Sequence, residues 1–329
     1  MKKAAEYEFY VSSEQRLDLF LLQKISEDSR LEKCTRSQIK HLIEKGKVSV
    51  SRRKVFKAGH LLKPGNTVSF KTLDRENTQI EPWDFEIPLI YEDQKLIVIN
   101  KPAGISMHPG AGRKSQTILN ALASHFSKDL FAENTAHRAG IVHRLDKDTS
   151  GVVVLAKDLP TLHFLSAQFS KRQVEKKYIA LALSSRRSRR LINKSDNGLL
   201  ETLLGRDAKN RLKMAVVAEG GRKALTSWKV IDRMHYACLL EVNLLTGRTH
   251  QIRVHFDHIK SPLIGDPLYG DFSLLPAKLN RAALDFGRQA LHSKSLKFIP
   301  PTSGKPMLFE SQIPPDMEEI IGKFRNYRA

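Results

Sequence analysis

Cysteine is almost missing from this chain: Cys34 and Cys238 are the two in 329 residues, too few and too far apart for a disulfide framework or a Cys-x-x-Cys metal knuckle. Their scarcity fits a reducing compartment. Long apolar runs are missing as well. None approaches the ~18 residues of a membrane-spanning helix, and no apolar stretch follows the lysines at positions 2 and 3. The expectation is a soluble, cytoplasmic monomer with no membrane partner. Acidic residues fall short of basic ones, 35 Asp and Glu against 55 Lys and Arg, for a formal charge of +20. That imbalance attracts a polyanion and suits nucleic acid better than a small neutral substrate. His250, His255 and His258 cluster in sequence, yet no His-Glu-x-x-His arrangement accompanies them. A strand over Arg248 to Phe256 would send His250 and His255 to opposite faces, so no metal is expected.

What is present begins with an ordinary 41% of apolar residues, core enough for one large domain and a small one. Residues 13–75 read as a small α/β-type module. Leu17, Phe20 and Leu21 recur at helical spacing. A second helix is predicted over Thr35 to Lys45, with Thr35 as N-cap, Ile39, Leu42 and Ile43 as the apolar face and Gly46 as the stop. Val48 and Val50 alternate as a strand, Arg52-Arg53-Lys54 makes a turn, and a last strand runs from Thr67 to Phe70. Residues 1 to 75 carry 17 basic against 9 acidic side chains, a net excess of 8, so collective attraction to phosphates is credible even though any single Lys is more often a solvated one.

Residues 76–87, polar and holding Pro82, read as a linker. Residues 88–315 form the large domain and 316–329 a C-terminal segment. Within the large domain, Leu96 to Ile99 is a buried strand running into the turn Lys101-Pro-Ala-Gly104, and Thr117 to Phe126 is a helix. Lys177 to Leu183, Ala224 to Arg233, Ala237 to Leu244 and Arg248 to Phe256 are strand-like by alternation and β-branched content. The class is α+β. The Arg186-Arg-Ser-Arg-Arg190 cluster reads as a surface loop, with a track for RNA phosphates as the alternative.

The most informative stretch is His143-Arg-Leu-Asp-Lys-Asp-Thr-Ser-Gly-Val-Val-Val-Leu-Ala-Lys-Asp158. Gly151 relaxes the backbone after a polar turn, and Val152 to Leu155 form a short apolar run buried on both faces. Asp146 therefore sits on a loop held by a stiff element. Flanked by Arg144 and Lys147, its carboxylate stays ionised and usable as a nucleophile. An isolated Asp would more often cap a turn, and the nearby Asp148 is read that way.

His-Arg-Leu-Asp-x-x-Thr-Ser-Gly resembles the signature of the RluA-type RNA pseudouridine synthases, and Asp146 matches their attacking Asp. The resemblance continues in family order through Lys101-Pro-Ala-Gly104 with His108-Pro-Gly110, Lys177-Tyr178-Ile-Ala180, and Thr246-Gly-Arg-Thr-His-Gln-Ile-Arg-Val-His255. His108-Pro-Gly-Ala-Gly112, Thr117-Ile-Leu-Asn-Ala-Leu122 and Arg138-Ala-Gly-Ile-Val-His143 look most like the RluD-type subgroup, which modifies large-subunit ribosomal RNA. Residues 13–75 resemble the S4-like RNA-binding module that many of these enzymes carry, although Ser51-Arg52-Arg53 stands where that module usually has an Asn-Gly turn.

The resemblance implies a pseudouridine synthase fold, a mixed and mainly antiparallel sheet around a catalytic cleft. It implies an isomerase that cuts the sugar C1′ to base N1 bond, turns the trapped uracil and rejoins it through C5, with no cofactor. Tyr178 matches the tyrosine stacked on the target base, and Arg253 the partner of the catalytic Asp, with Arg248 the second choice for that place. Arg144 matches the residue that approaches or replaces the flipped nucleotide, and His108 and Arg113 line the cleft. Arg16, Arg36, Lys40, Lys45, Arg52 and Arg53 fall where the N-terminal module meets RNA. The implied partner is large-subunit ribosomal RNA or a ribosome assembly intermediate. Two rival readings are weighed against it: an inactive RNA-binding or ribosome-assembly protein of the same fold, and a metal-dependent nuclease. Intact Asp146, Tyr178 and Arg253 speak against the first, and no acidic cluster at metal-site spacing supports the second.

Overall fold

A computed structural model describes residues 6–28, 31, 36–71, 80–109, 115–126, 139–184 and 191–328. Thr35, Arg113 and the Arg186 to Arg190 cluster lie outside the described residues. The chain divides into two units, Met1–Thr78 and Gln79–Ala329.

In the first unit, helices α1 (Leu17–Glu27) and α2 (Arg36–Glu44) cover a four-stranded sheet of β1 (Glu6–Tyr10), β3 (Val48–Val50), β4 (Arg53–Lys54) and β6 (Thr67–Lys71), in the order β1-β6-β3-β4. The short β2 (Gln15–Arg16) and β5 (Leu61–Leu62) pair separately. Leu17, Phe20 and Leu21 meet Ile39, Leu42 and Ile43 over Val48, Val50 and Val68 in one buried cluster, as their spacing predicts. Strand β1 adds residues ahead of position 13 to this unit. Between β3 and β4, Ser51 and Arg52 both take positive φ, 46° and 67°. That is the backbone an Asn-Gly hairpin turn supplies, held here by two residues for which it is less natural.

The second unit is built on one large sheet. Its strands are β7 (Leu89–Glu92), β8 (Leu96–Lys101), β9 (Ser150–Ala156), β10 (Glu175–Leu183), β11 (Asn197–Arg206), β12 (Met214–Val216), β13 (Arg222–Arg233), β14 (Ala237–Leu244), β15 (Leu291–Phe298) and β16 (Met307–Glu310). They run β12-β11-β13-β14-β10-β15-β9-β8-β7, with β16 added to β15. The mixed, mainly antiparallel α+β architecture is the one expected; β15 against β9 is the parallel pair. Central strands are covered on both faces. In β8 and β9, Ile97, Ile99, Val153 and Leu155 enter one core while Leu96, Val98, Val152 and Val154 enter another.

Two segments depart from the expected secondary structure. Gln251–His258 is an α-helix, not a strand, with Gln251 to Phe256 all buried. Alternation of Ile252, Val254 and Phe256 mimicked a strand because a helix covered on every side has no polar stripe to reveal its period. Helix Ile118–Ala121 is short and gives way to a 3₁₀ turn at Ala123–His125. Residues at the end of the expected linker pack on the second unit: Ile87 is buried in its core, Ile80 and Trp83 lie against it, and the Trp83 N–H donates to the Asn120 carbonyl at 3.0 Å. The last segment is likewise part of the core, since helix Pro315–Arg325 buries Met317, Ile320, Ile321 and Phe324.

Gly151, at φ +114°, sits where β9 meets β15 so closely that a Cβ would run into the Ser293 carbonyl. Gly151→Ala is therefore expected to lower stability by about 3 kcal/mol or more. A urea denaturation midpoint equal to wild type would contradict this account of the junction.

Candidate active site

Asp146 leads the loop into β9, and every carbonyl of that loop from 146 to 148 is held. The Thr149 N–H donates to Asp146 O at 3.1 Å, Gly104 N–H and Lys101 Nζ donate to Lys147 O at 3.0 and 2.8 Å, and Arg288 Nη1 donates to Asp148 O at 3.3 Å. Gln289 adds a 2.9 Å bond from its amide to the Thr149 hydroxyl. Lys101 is fully buried, and its ammonium also donates to the carbonyls of Pro102 and Ile105 at 2.8 and 2.9 Å. All three ammonium protons are thus used to stitch the Lys-Pro-Ala-Gly turn to the Asp146 loop. Burial pushes this amine down to about 7, against the pull of Asp148 and Asp146. Arg288 in turn is clamped by Asp316 at 2.7 and 3.0 Å, so the C-terminal helix braces the loop.

The Asp146 carboxylate is fixed through one oxygen. Arg253 Nη1 donates to Oδ2 at 3.0 Å, and His250 Nε2 lies 3.9 Å from the same atom. The bidentate partner of Arg253 is not Asp146 but Asp266, through 2.7 and 2.8 Å bonds. Asp266 is wholly buried and also accepts the N–H groups of Leu268 and Tyr269 at 2.9 and 3.1 Å. Burial works against the Arg253 charge, but Asp266 and then Asp146 more than compensate and raise its pKa. Tyr269 packs its ring 5.0 Å from the guanidinium carbon, accepts the Met214 N–H at 2.8 Å and meets His250 Nδ1 at 2.9 Å. In the tautomer whose Nδ1 accepts from the phenol, the His250 Nε2 proton is directed toward Asp146. His250 takes the left-handed conformation at φ 54°, ending the Thr246-Gly-Arg-Thr loop and starting the helix.

A cavity of about 690 Å³ opens beside Asp146, large enough for a nucleotide, and His108, Arg144, Tyr178 and Arg248 line it. Four stretches far apart in sequence therefore converge. Arg144 is exposed there, whereas Tyr178 is buried and its hydroxyl is pushed above its ordinary pKa, chiefly by burial. Arg248 does not reach Asp146 by any hydrogen bond; its Nε donates to the Lys223 carbonyl at 3.1 Å. Asp148 offers the loop its carbonyl, in keeping with a turn residue. His250 and His255 do not share a site: His255 bonds Thr202 at 2.9 Å.

In the first unit, Arg16 and Arg36 both grip the buried carboxylate of Asp18, at 3.0 and 2.9 Å, and keep half-exposed guanidinium groups. Lys40 pairs with Glu44 at 3.6 Å, and Lys45, Arg52 and Arg53 are exposed.

Sequence reasoning missed Asp266, Asp18, Lys101 and the Arg288 clamp. Asp266 stands in Gly265-Asp-Pro-Leu-Tyr-Gly270, a turn by composition whose carboxylate gave no sign of a partner thirteen residues upstream. Lys101 was visible only as part of a motif.

Residues 95–258 match the family model of RNA pseudouridylate synthases. An RNA pseudouridine synthase of Chlorobaculum parvum is 38% identical over 96% of this chain and 95% of its own length. The chain belongs to the RNA pseudouridine synthase family. The ribosomal large subunit pseudouridine synthase D of Pseudomonas aeruginosa is 36% identical over 100% of this chain and 97% of its own. Human RNA pseudouridylate synthase domain containing 4 shares the fold at a TM-score of 0.54, with 23% identity over 72% of this chain and 93% of that one. This synthase is an isomerase that converts uridine in RNA to pseudouridine. Among the described residues, no helix is long and apolar enough to cross a membrane.

Removing Arg253 strands a buried Asp266 carboxylate, so Arg253→Met is expected to cost about 3–5 kcal/mol. Lys101→Met removes the donor to the Pro102 and Ile105 carbonyls and one of the two donors to the Lys147 carbonyl, and is expected to cost about 3 kcal/mol. Urea melts of both variants check these values, and a loss under 1 kcal/mol in either would refute the corresponding bracing role.

Proposed function

We propose that this synthase isomerises specific uridines of large-subunit ribosomal RNA, free or in assembly intermediates, with Asp146 as the nucleophile. The observation that carries the reading is the asymmetry of Asp146. One of its oxygens is tied to Arg253, which Asp266 holds in place, and the other has no hydrogen-bond partner among the described residues. A carboxylate held on one side and open on the other, in a nucleotide-sized cavity, suits addition to a substrate carbon. The large-subunit substrate is supported by relatives such as the Pseudomonas aeruginosa enzyme, whose name states it.

Isomerisation needs the base trapped while it turns. Tyr178 offers its ring to the uracil, and its raised pKa keeps the hydroxyl neutral, a hydrogen-bonding group rather than a phenolate base. A paired uridine must first leave its helix, at a cost of a few kcal/mol. Arg144, exposed at the cavity, has the planar cation to fill the gap and stack on the bases left behind. His108 and Arg248 complete the cavity wall. The N-terminal unit is an S4-like RNA-binding domain in this reading, with Lys40, Lys45, Arg52 and Arg53 meeting phosphates and Asp18 setting the reach of Arg16 and Arg36. The enzyme works as a cytoplasmic monomer.

Tritium release from large-subunit ribosomal RNA labelled at uridine C5 tests the chemistry. Asp146→Asn is expected to lower release by at least about 10³-fold while RNA affinity stays within a few-fold. Turnover at the wild-type rate in that variant would remove Asp146 from its role. Pseudouridine maps of ribosomal RNA from a deletion strain identify the positions, and an unchanged large-subunit map would reject that substrate.

A further inference from the structure

Lys176 stands two residues before Tyr178 on β10, and both line the cavity beside Asp146. Its neighbours in the chain are neutralised in ion pairs, Glu175 with Lys297 at 2.8 Å and Lys177 with Glu241 at 3.4 Å. Lys176 has no carboxylate in ion-pair range among the described residues. Its ammonium lies 5.9 Å from the centre of the Phe169 ring and 3.8 Å from where a Cβ on Gly247 would stand. His143, which stacks on the Phe169 ring at 4.7 Å, adds no charge, since burial of its ring nitrogens pushes it down to about 3.

A half-buried cation served by one aromatic face is under-compensated. Burial lowers the Lys176 pKa. The other basic side chains in and beside the cavity are differently placed. Arg253 is consumed by two carboxylates and Arg248 bonds a carbonyl, while Arg144, Arg172 and Arg222 are exposed. Lys176 is thus the inner cation still able to take a ligand from the cavity.

We propose that Lys176 is the binding site for the phosphate of the nucleotide whose base is received at Tyr178. This rests on the reading of the cavity as a uridine site. Two residues along a strand span about 6.6 Å, comparable to the reach from a nucleobase to its own phosphate, so a single stretch of β10 presents a base platform and an anion site in register. A phosphate oxygen at Nζ would replace the hydration that burial removed and fix the sugar between the two points, with C1′ facing Asp146. Gly247 opposite keeps the approach to the ammonium open.

The assay is tritium release from unmodified large-subunit ribosomal RNA transcripts across a potassium chloride series. Lys176→Gln is expected to raise KM about 5–10-fold, leave kcat within about twofold, and make the log–log salt dependence of KM shallower by about one ion; Lys176→Arg keeps the wild-type slope. A Lys176→Gln enzyme with wild-type KM and slope overturns the assignment. A second measurement needs no variant: on the wild-type protein, saturating RNA is expected to protect Lys176 from acetylation by N-hydroxysuccinimidyl acetate, read by mass spectrometry. Undiminished acetylation of Lys176 while other lysines are protected also overturns it. Absence of release by wild type would instead count against the uridine-site reading itself.

Discussion

The catalytic unit depends on one buried ion pair. Asp266 has lost all contact with water, and its carboxylate persists because Arg253 donates two hydrogen bonds and the backbone two more. That leaves the guanidinium with one donor turned toward Asp146. A lone arginine beside Asp146 would follow it through every fluctuation; an arginine bolted to a second carboxylate cannot. Asp146 is thereby restrained without being saturated, the condition a nucleophile needs.

Bracing of the loop follows the same logic from the backbone side. Lys101 and Gly104 from one turn and Arg288 from a distant part of the chain hold carbonyls that a surface loop would leave to water. The loop is immobilised by converging elements rather than by its own sequence. Gly151 then lets β9 pass Ser293 at a distance no side chain permits, which brings the loop against β15 and its Arg288-Gln289 lead.

Much of this was legible because it is written locally. Val152 to Leu155 declare a strand buried on both faces, and Leu17, Phe20, Ile39 and Ile43 declare two amphipathic helices. Asp146, Tyr178 and Arg253 were legible as members of motifs. Helix 251–258 was misread, since full burial erased the polar stripe that separates a helix from a strand. Asp266 and Asp316 were invisible for a different reason: an acid's meaning lies in its partner, and both partners sit across the fold. Asp18 carries no mark in the sequence either, although it anchors two arginines.

The brace between Arg288 and the Asp148 carbonyl joins residues 140 positions apart, and Asp316 follows Arg288 by 28 more. During synthesis the motif that carries Asp146 emerges long before the groups that hold it. Strand β9 likewise waits for β15, its parallel neighbour. The Asp146 loop gains this brace only when Arg288 and the helix that carries Asp316 have folded against it. The geometry of Asp146 is thus set by groups that the chain supplies well after the motif that carries it.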